Sequence, residues 1–252
     1  MIKTLFNALL STRLVRGAEN PFRLLQAIIF LLCVTGFFAD VLLAASTDGV
    51  IRIPIVISGE AQKAKIGDWK VKEWKGKADV TVVDTEAGSA LHLKSESTSI
   101  AVYNEGVIDI ASHPYLNWSW LVKKLPKGGD VRKRNMDDQA IQLYVIFPYK
   151  WPASINSRLI GYIWDTSAKA GAELTSTKTS NTKYIVIKSG VDGLGKWHAE
   201  ERNVIEDYKR LFKEEAHLAS GVSVMIDSDD TKSSAESFIA DVFFASEAKQ
   251  SK

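Results

Sequence analysis

Two stretches decide how this chain folds: Tyr115-Leu116-Asn117-Trp118-Ser119-Trp120-Leu121-Val122 and Ile141-Gln142-Leu143-Tyr144-Val145-Ile146-Phe147. In the first, Leu116, Trp118, Trp120 and Val122 alternate with Asn117, Ser119 and Leu121. Successive side chains of an extended chain point to opposite faces, so this period of two predicts a strand with Trp118 and Trp120 turned to the core. In the second, Ile141, Leu143, Val145 and Phe147 alternate in the same way with Gln142, Tyr144 and Ile146.

Working outward, the same signal recurs over Val80–Val83, Leu91–Lys94, Ile100–Tyr103 and Val222–Ile226. Leu159–Trp164 and Tyr184–Ile187 are apolar on both faces, as central strands are. Phe238, Ala240, Val242 and Phe244 read as one face of a last strand, with Asp241 on the other. Turn pairs such as Gly128-Gly129, Ser189-Gly190 and Asp192-Gly193 separate these runs. A single helix interrupts them near 203–213. Ile205, Tyr208, Leu211 and Phe212 recur at helical spacing, and Asn203 with Glu206 forms a start resembling a capping box. About nine strands and one surface helix predict a mostly β fold, a two-sheet antiparallel sandwich of the jelly-roll, galactose-binding-like kind, with a barrel as the alternative.

The amino-terminal 45 residues differ in kind. Lys3, Arg13, Arg16 and Arg23 precede an apolar run from Ala27 to Ala39, and Val41 to Ala45 follows Asp40. A basic flank, a short apolar core and small residues at its end predict a secretory signal peptide over 1–45, ahead of one domain over 46–248. The alternative is an uncleaved membrane anchor over residues 27–45. Either places the domain in the periplasm or outside the cell, with the membrane touched only through this segment. Cys33, the one cysteine, lies inside it, so the mature domain carries neither disulfide nor thiol chemistry. Leu32 stands where a lipoprotein attachment site needs a small residue.

Formal net charge is +2 over 252 residues, which gives no electrostatic case for a nucleic-acid partner. No phosphate loop, dinucleotide fingerprint, nucleophile elbow or zinc-type His-Glu-x-x-His is present. Several residues remain as candidates for chemistry. Asp137 and Asp138 are adjacent carboxylates, the types that serve as general acid and base, with Asp165, His198 and Arg202 as partners. Arg202 is also placed to balance Asp207. Asp227, Asp229 and Asp230 offer hard oxygen ligands that suit calcium, the one cofactor the sequence suggests. Of seven tryptophans, Trp151, in a loop-like stretch, is a candidate ligand contact. Trp164, with Tyr162 on the same strand face, is expected to meet a ligand. Flat rings stack on the apolar faces of sugars while nearby polar groups bind the hydroxyls.

Three blocks resemble the bacterial family known as domain of unknown function 3047. They are Pro114 to Trp120; Asp137-Asp138-Gln139-Ala140 with its following strand and Gly161 to Trp164; and Trp197 through Arg202-Asn203 and Glu206-Asp207-Tyr208 to Met225–Thr231. The resemblance covers roughly residues 65–245 and implies an exported bacterial protein, with no activity attached. A looser similarity is to jelly-roll carbohydrate-binding modules, through Gly67-Asp68-Trp69, Gly88-Ser89-Ala90-Leu91 and Asp241-Val242. It implies Asp241 as a further calcium ligand. Three functions are therefore expected in order: binding of a carbohydrate or cell-envelope polymer, a glycan hydrolase or lyase using Asp137 and Asp138, and a non-catalytic subunit of an envelope complex.

Overall fold

The computed structural model describes residues 49–55, 69–77, 79–150 and 156–249. The targeting segment, Gly67-Asp68 and Trp151 lie outside them. Among the described residues, thirteen strands and one helix follow in order: β1 (Val50–Arg52), β2 (Lys70–Lys75), β3 (Asp79–Thr85), β4 (Gly88–Glu96), β5 (Ser99–Asp109), β6 (Tyr115–Lys124), β7 (Ile141–Phe147), β8 (Arg158–Asp165), β9 (Glu173–Thr175), β10 (Thr182–Ser189), β11 (His198–Asn203), α1 (Val204–Phe212), β12 (Leu218–Asp227) and β13 (Ser234–Ala245). Among the described residues, no helix is long and apolar enough to cross a membrane.

The strands form the two sheets of a β-sandwich. One runs β11-β6-β13-β4-β3, with β1 also paired to β13. The other runs β2-β5-β12-β7-β8-β10-β9. Pairing is antiparallel except between β8 and β10. A parallel pair needs a crossover of a dozen or more residues, and the stretch 166–181, which includes β9, supplies it.

The alternation read from sequence explains the core. Leu91, Trp118, Trp120, Leu143, Tyr162, Trp164, Val224 and Phe244 meet between the sheets. Trp118 packs on Tyr162 with ring centroids 5.3 Å apart, and Trp120 lies 6.2 Å from Trp164. A second cluster covers the outer face of the seven-stranded sheet and includes Tyr144, Ile146, Ile163, Tyr184, Val186 and Met225. It makes β7 buried along its whole length. Gly161 belongs to this arrangement. A Cβ there would stand 2.8 Å from the Tyr144 ring and 2.9 Å from the Tyr184 ring, so glycine lets both rings close over β8.

The last strand departs from the expected alternation. Asp241 adopts a positive φ of 51°, and the register against β6 shifts between Ala240 and Phe243. One extra residue reverses every later side chain. Ile239, Val242 and Phe244 face the core. Phe238 and Ala240 face outward instead of sharing the side of Val242 and Phe244. The bulge also divides the strand's partners: β4 pairs with it up to Ala240, and β1 pairs with Phe243 to Ala245.

Candidate functional site

The acidic residues read from sequence gather where the 137–139 segment meets the end of β12. Asp137, Asp138, Gln139 and Asp227 are all buried. Asp138 accepts the backbone N–H groups of Asp230 at 3.1 Å and Thr231 at 2.6 Å. Asp227 accepts from the Gln139 backbone at 2.7 Å and from Gln142 Nε2 at 3.1 Å. Asp165 accepts from the backbones of Val131, Ser167 and Ala168. Burial raises the carboxyls of Asp138 and Asp165, and raises Asp227 strongly, with the neighbouring Asp138 charge adding to it.

Asp137 differs. Its Oδ1 accepts from Gln139 Nε2 at 3.2 Å, and its Oδ2 faces the Lys178 ammonium at 3.5 Å. Burial pushes it up to about 6 against the opposing pull of Lys178. Lys178 is held above its ordinary value: burial works against its charge, but Asp137, Asp227 and Asp230 outweigh that. A carboxyl with this pKa has the proton affinity of a general acid. Yet it is only 2% exposed, and its neighbour Asp138 uses both oxygens on the 230–231 backbone.

Oxygens of Asp138, Asp227 and Asp229 lie within 4.8 Å of one another, so by type and spacing the three suit a hard cation. Donors already meet each of them, since Asp229 pairs with Lys75 at 3.1 Å. Two expected ligands do not join them. Asp230 binds Lys178 at 3.0 Å. Asp241 is on the exposed bulge, paired with Arg52 at 3.3 Å, and is separated from Ser234 by seven residues of strand, on the order of 23 Å.

The proposed catalytic partners also separate. Asp165 stays with Asp137 through Gln139 Nε2, 3.4 Å away. His198 and Arg202 are on β11, in the other sheet, opposite Trp120 and Leu116. His198 Nε2 is 2.9 Å from the Gly193 carbonyl, and its ring meets Trp164 edge-on. Arg202 clamps Asp207 through two hydrogen bonds, and Tyr162 Oη donates to the same carboxylate at 2.9 Å. Tyr162 and Trp164, expected on a ligand face, are both fully buried. They point between the sheets, and the Trp164 indole donates to the Gly190 carbonyl at 3.0 Å.

The outer side of the six-stranded sheet carries an aromatic group of its own. Phe238 lies opposite His92 on β4 and Leu121 on β6. It belongs to neither core cluster, and its own neighbours cover it. His92 stacks on it at 4.0 Å with an interplanar angle of 7°, and Trp197 meets it edge-on at 6.3 Å. The Lys123 ammonium stands 4.8 Å from its centroid. The Glu236 carboxylate accepts from His92 Nε2 at 2.9 Å and faces Lys123 at 3.7 Å. Beside this aromatic row, an open groove of about 430 Å³ is lined by Lys77, Asp79, Lys94, Lys124 and Glu236 among others. Strict alternation hides this face, because it assigns Phe238 to the side of Val242 and Phe244. The signal that could reveal it is Asp241, a turn-forming residue inside an apolar strand.

A model of the family described as "Protein of unknown function (DUF3047)" matches residues 67–243. The chain belongs to that family. No curated protein matches it. Among solved structures it is similar to the family 11 carbohydrate-binding module from Clostridium thermocellum in complex with a β-1,3-1,4-mixed-linked tetrasaccharide. Identity is 7% over 79% of this chain and 97% of that chain, with a TM-score of 0.43. The family 11 module of a cellulosomal cellulase of Clostridium thermocellum gives 8% identity over 82% and 100%, with a TM-score of 0.43. The glycoside hydrolase domain of Endo-D from Streptococcus pneumoniae R6 gives 12% over 73% and 22%, with a TM-score of 0.38. At such distances these likenesses transfer no residue role to this chain.

Proposed function

We propose that this chain is an exported protein whose sandwich binds a carbohydrate or cell-envelope polymer on the outer face of the six-stranded sheet. Trp197 and His92 supply the stacking surface, with Phe238 buried beneath them. Lys123 and Glu236 supply hydrogen-bonding groups. The observation that carries this reading is the outward aromatic row beside an open, polar groove. Rings with polar groups at their rim match the two-sided chemistry of a sugar, apolar on its CH face and polar at its edge. The amino-terminal segment, with its basic flank and short apolar core, supports export. Catalysis by Asp137 and Asp138 is the weaker reading, since Asp138 is spent on two backbone amides and Asp137 is closed off from solvent.

The test is binding of the purified full-length protein to soluble polysaccharides, among them a mixed-linkage β-glucan, a galactan and an alginate, followed by calorimetry. Trp197→Ala is expected to weaken binding about tenfold or more, the effect of losing a central aromatic contact, with the circular dichroism spectrum unchanged. Wild-type affinity in that variant would remove the site from this face.

A further inference from the structure

We infer that the glycan bound on this face is an acidic one, a polymer carrying carboxylates such as uronate residues. This rests on the reading of the outer face as a glycan platform, and it adds the charge of the ligand.

The argument starts from cross-strand register. One step along the strands from the Phe238 row, Lys94 stands between Asp79 on β3 and Glu236 on β13, and Glu236 stands opposite Lys124 on β6. Charges therefore alternate across three strand boundaries. Opposite charges placed so usually pair, but here they do so unevenly. Glu236 is engaged by His92 and Lys123, and the more distant Lys94 charge also acts on it. Among the described residues, Lys77, Lys94 and Lys124 form no ion pair, although all three line the groove. Four ammoniums, counting Lys123, face the three carboxylates of Asp79, Glu96 and Glu236. One of those carboxylates is already bound.

A lysine ammonium is a compact charge on a long stem. Lys94 and Lys124 flank Glu236 from two different strands. A polymer lying along the aromatic row would thus present successive carboxylates to ammoniums on either side. A neutral glycan would leave these ammoniums in water. An acidic glycan would bring them partners without burying any charge of the protein, since the groove is open.

The experiment compares polygalacturonate and alginate with their carboxyl-reduced, uncharged counterparts, at low and at physiological salt. Proteins are the full-length wild type, Lys94→Ala/Lys124→Ala and Trp197→Ala. At least one acidic polymer is expected to bind the wild type roughly tenfold more tightly than its reduced form, the worth of two exposed ion pairs. That preference is expected to shrink as salt screens the charges. The double lysine variant loses the preference and keeps the weaker binding of the reduced polymer, while Trp197→Ala weakens both. Equal binding of acidic and reduced polymers, or an unchanged preference in the lysine variant, overturns the acidic class and leaves the glycan platform standing. Binding of no polymer, or binding indifferent to Trp197→Ala, overturns the platform and this inference with it. The substituted lysines are on the surface, and a thermal unfolding midpoint within a few degrees of wild type confirms that each variant is folded.

Discussion

Asp137 and Asp138 are neighbours in sequence with opposite duties. Asp138 fixes the turn after β12 through two backbone amides. Asp137 is left with one amide donor and a distant ammonium, and burial moves it from an ordinary 3.8 to about 6. Between these values the folded chain keeps a proton that the unfolded chain has released. Its contribution to stability is therefore present at low pH, falls as pH rises from about 4 to about 6, and is level above that. Asp137→Asn, which mimics the protonated form, is expected to gain about 3 kcal/mol over wild type at pH 7 and almost nothing at pH 4. Urea unfolding of both proteins across this range checks it. A difference that does not change with pH would show that Asp137 keeps its ordinary proton affinity. That the two carboxylates are candidates was legible from their adjacency and block. Which one holds a loop was not, because the amides of Asp230 and Thr231 lie more than ninety residues away in sequence.

At the scale of elements, periodicity located β3 to β8, β10, β12 and β13 and missed β1, β2, β9 and β11. β1 and β9 are three residues long. β2 and β11 read Lys-Val-Lys-Glu-Trp-Lys and His-Ala-Glu-Glu-Arg-Asn. Both are edge strands, where charge guards against stray pairing and hides the apolar pattern. Tyr162 and Trp164 were misplaced for a related reason. Alternation says which side chains share a face, not whether another layer covers it. The helix, by contrast, was readable to its cap: Asn203 Oδ1 accepts the Glu206 N–H at 3.2 Å. What anchors α1 is Asp207, only 1% exposed, which takes Tyr162, Arg202 and Arg210 together. Asn203→Ala is expected to cost about 1 kcal/mol, the ordinary loss of a cap. Asp207→Asn is expected to cost more, about 2–3 kcal/mol, because it takes the counter-charge from Arg202 and leaves Arg210 with Glu173 alone. Chemical denaturation ranks the two. Equal losses would mean that the helix is held by its apolar side alone.

Across the whole molecule, pairings join distant parts of the chain. Val50 meets Ala245, Ser99 meets Asp227, and Tyr115 meets Asn203. Closing such loops costs entropy before any contact offsets it, so refolding is expected on the millisecond-to-second scale of β-sandwiches. Stopped-flow tryptophan fluorescence follows it directly, since Trp118, Trp120 and Trp164 become fully buried. Microsecond refolding would contradict this account.

The short first strand, clasped to β13 beyond the Asp241 bulge, has a spatial consequence. Ala45, the residue at the proposed end of the targeting segment, precedes Val50 by only five positions, a reach of roughly 17 Å. A chain that kept its anchor would be moored to the bilayer by a tether of at most that reach, with the β1 corner of the six-stranded sheet toward the lipid. A chain cut at Ala45 would carry a stub of a few residues that at once becomes the margin of a sheet. In the anchored chain the aromatic face would belong to the same sheet as the mooring point, so its height above the membrane would follow from the strands.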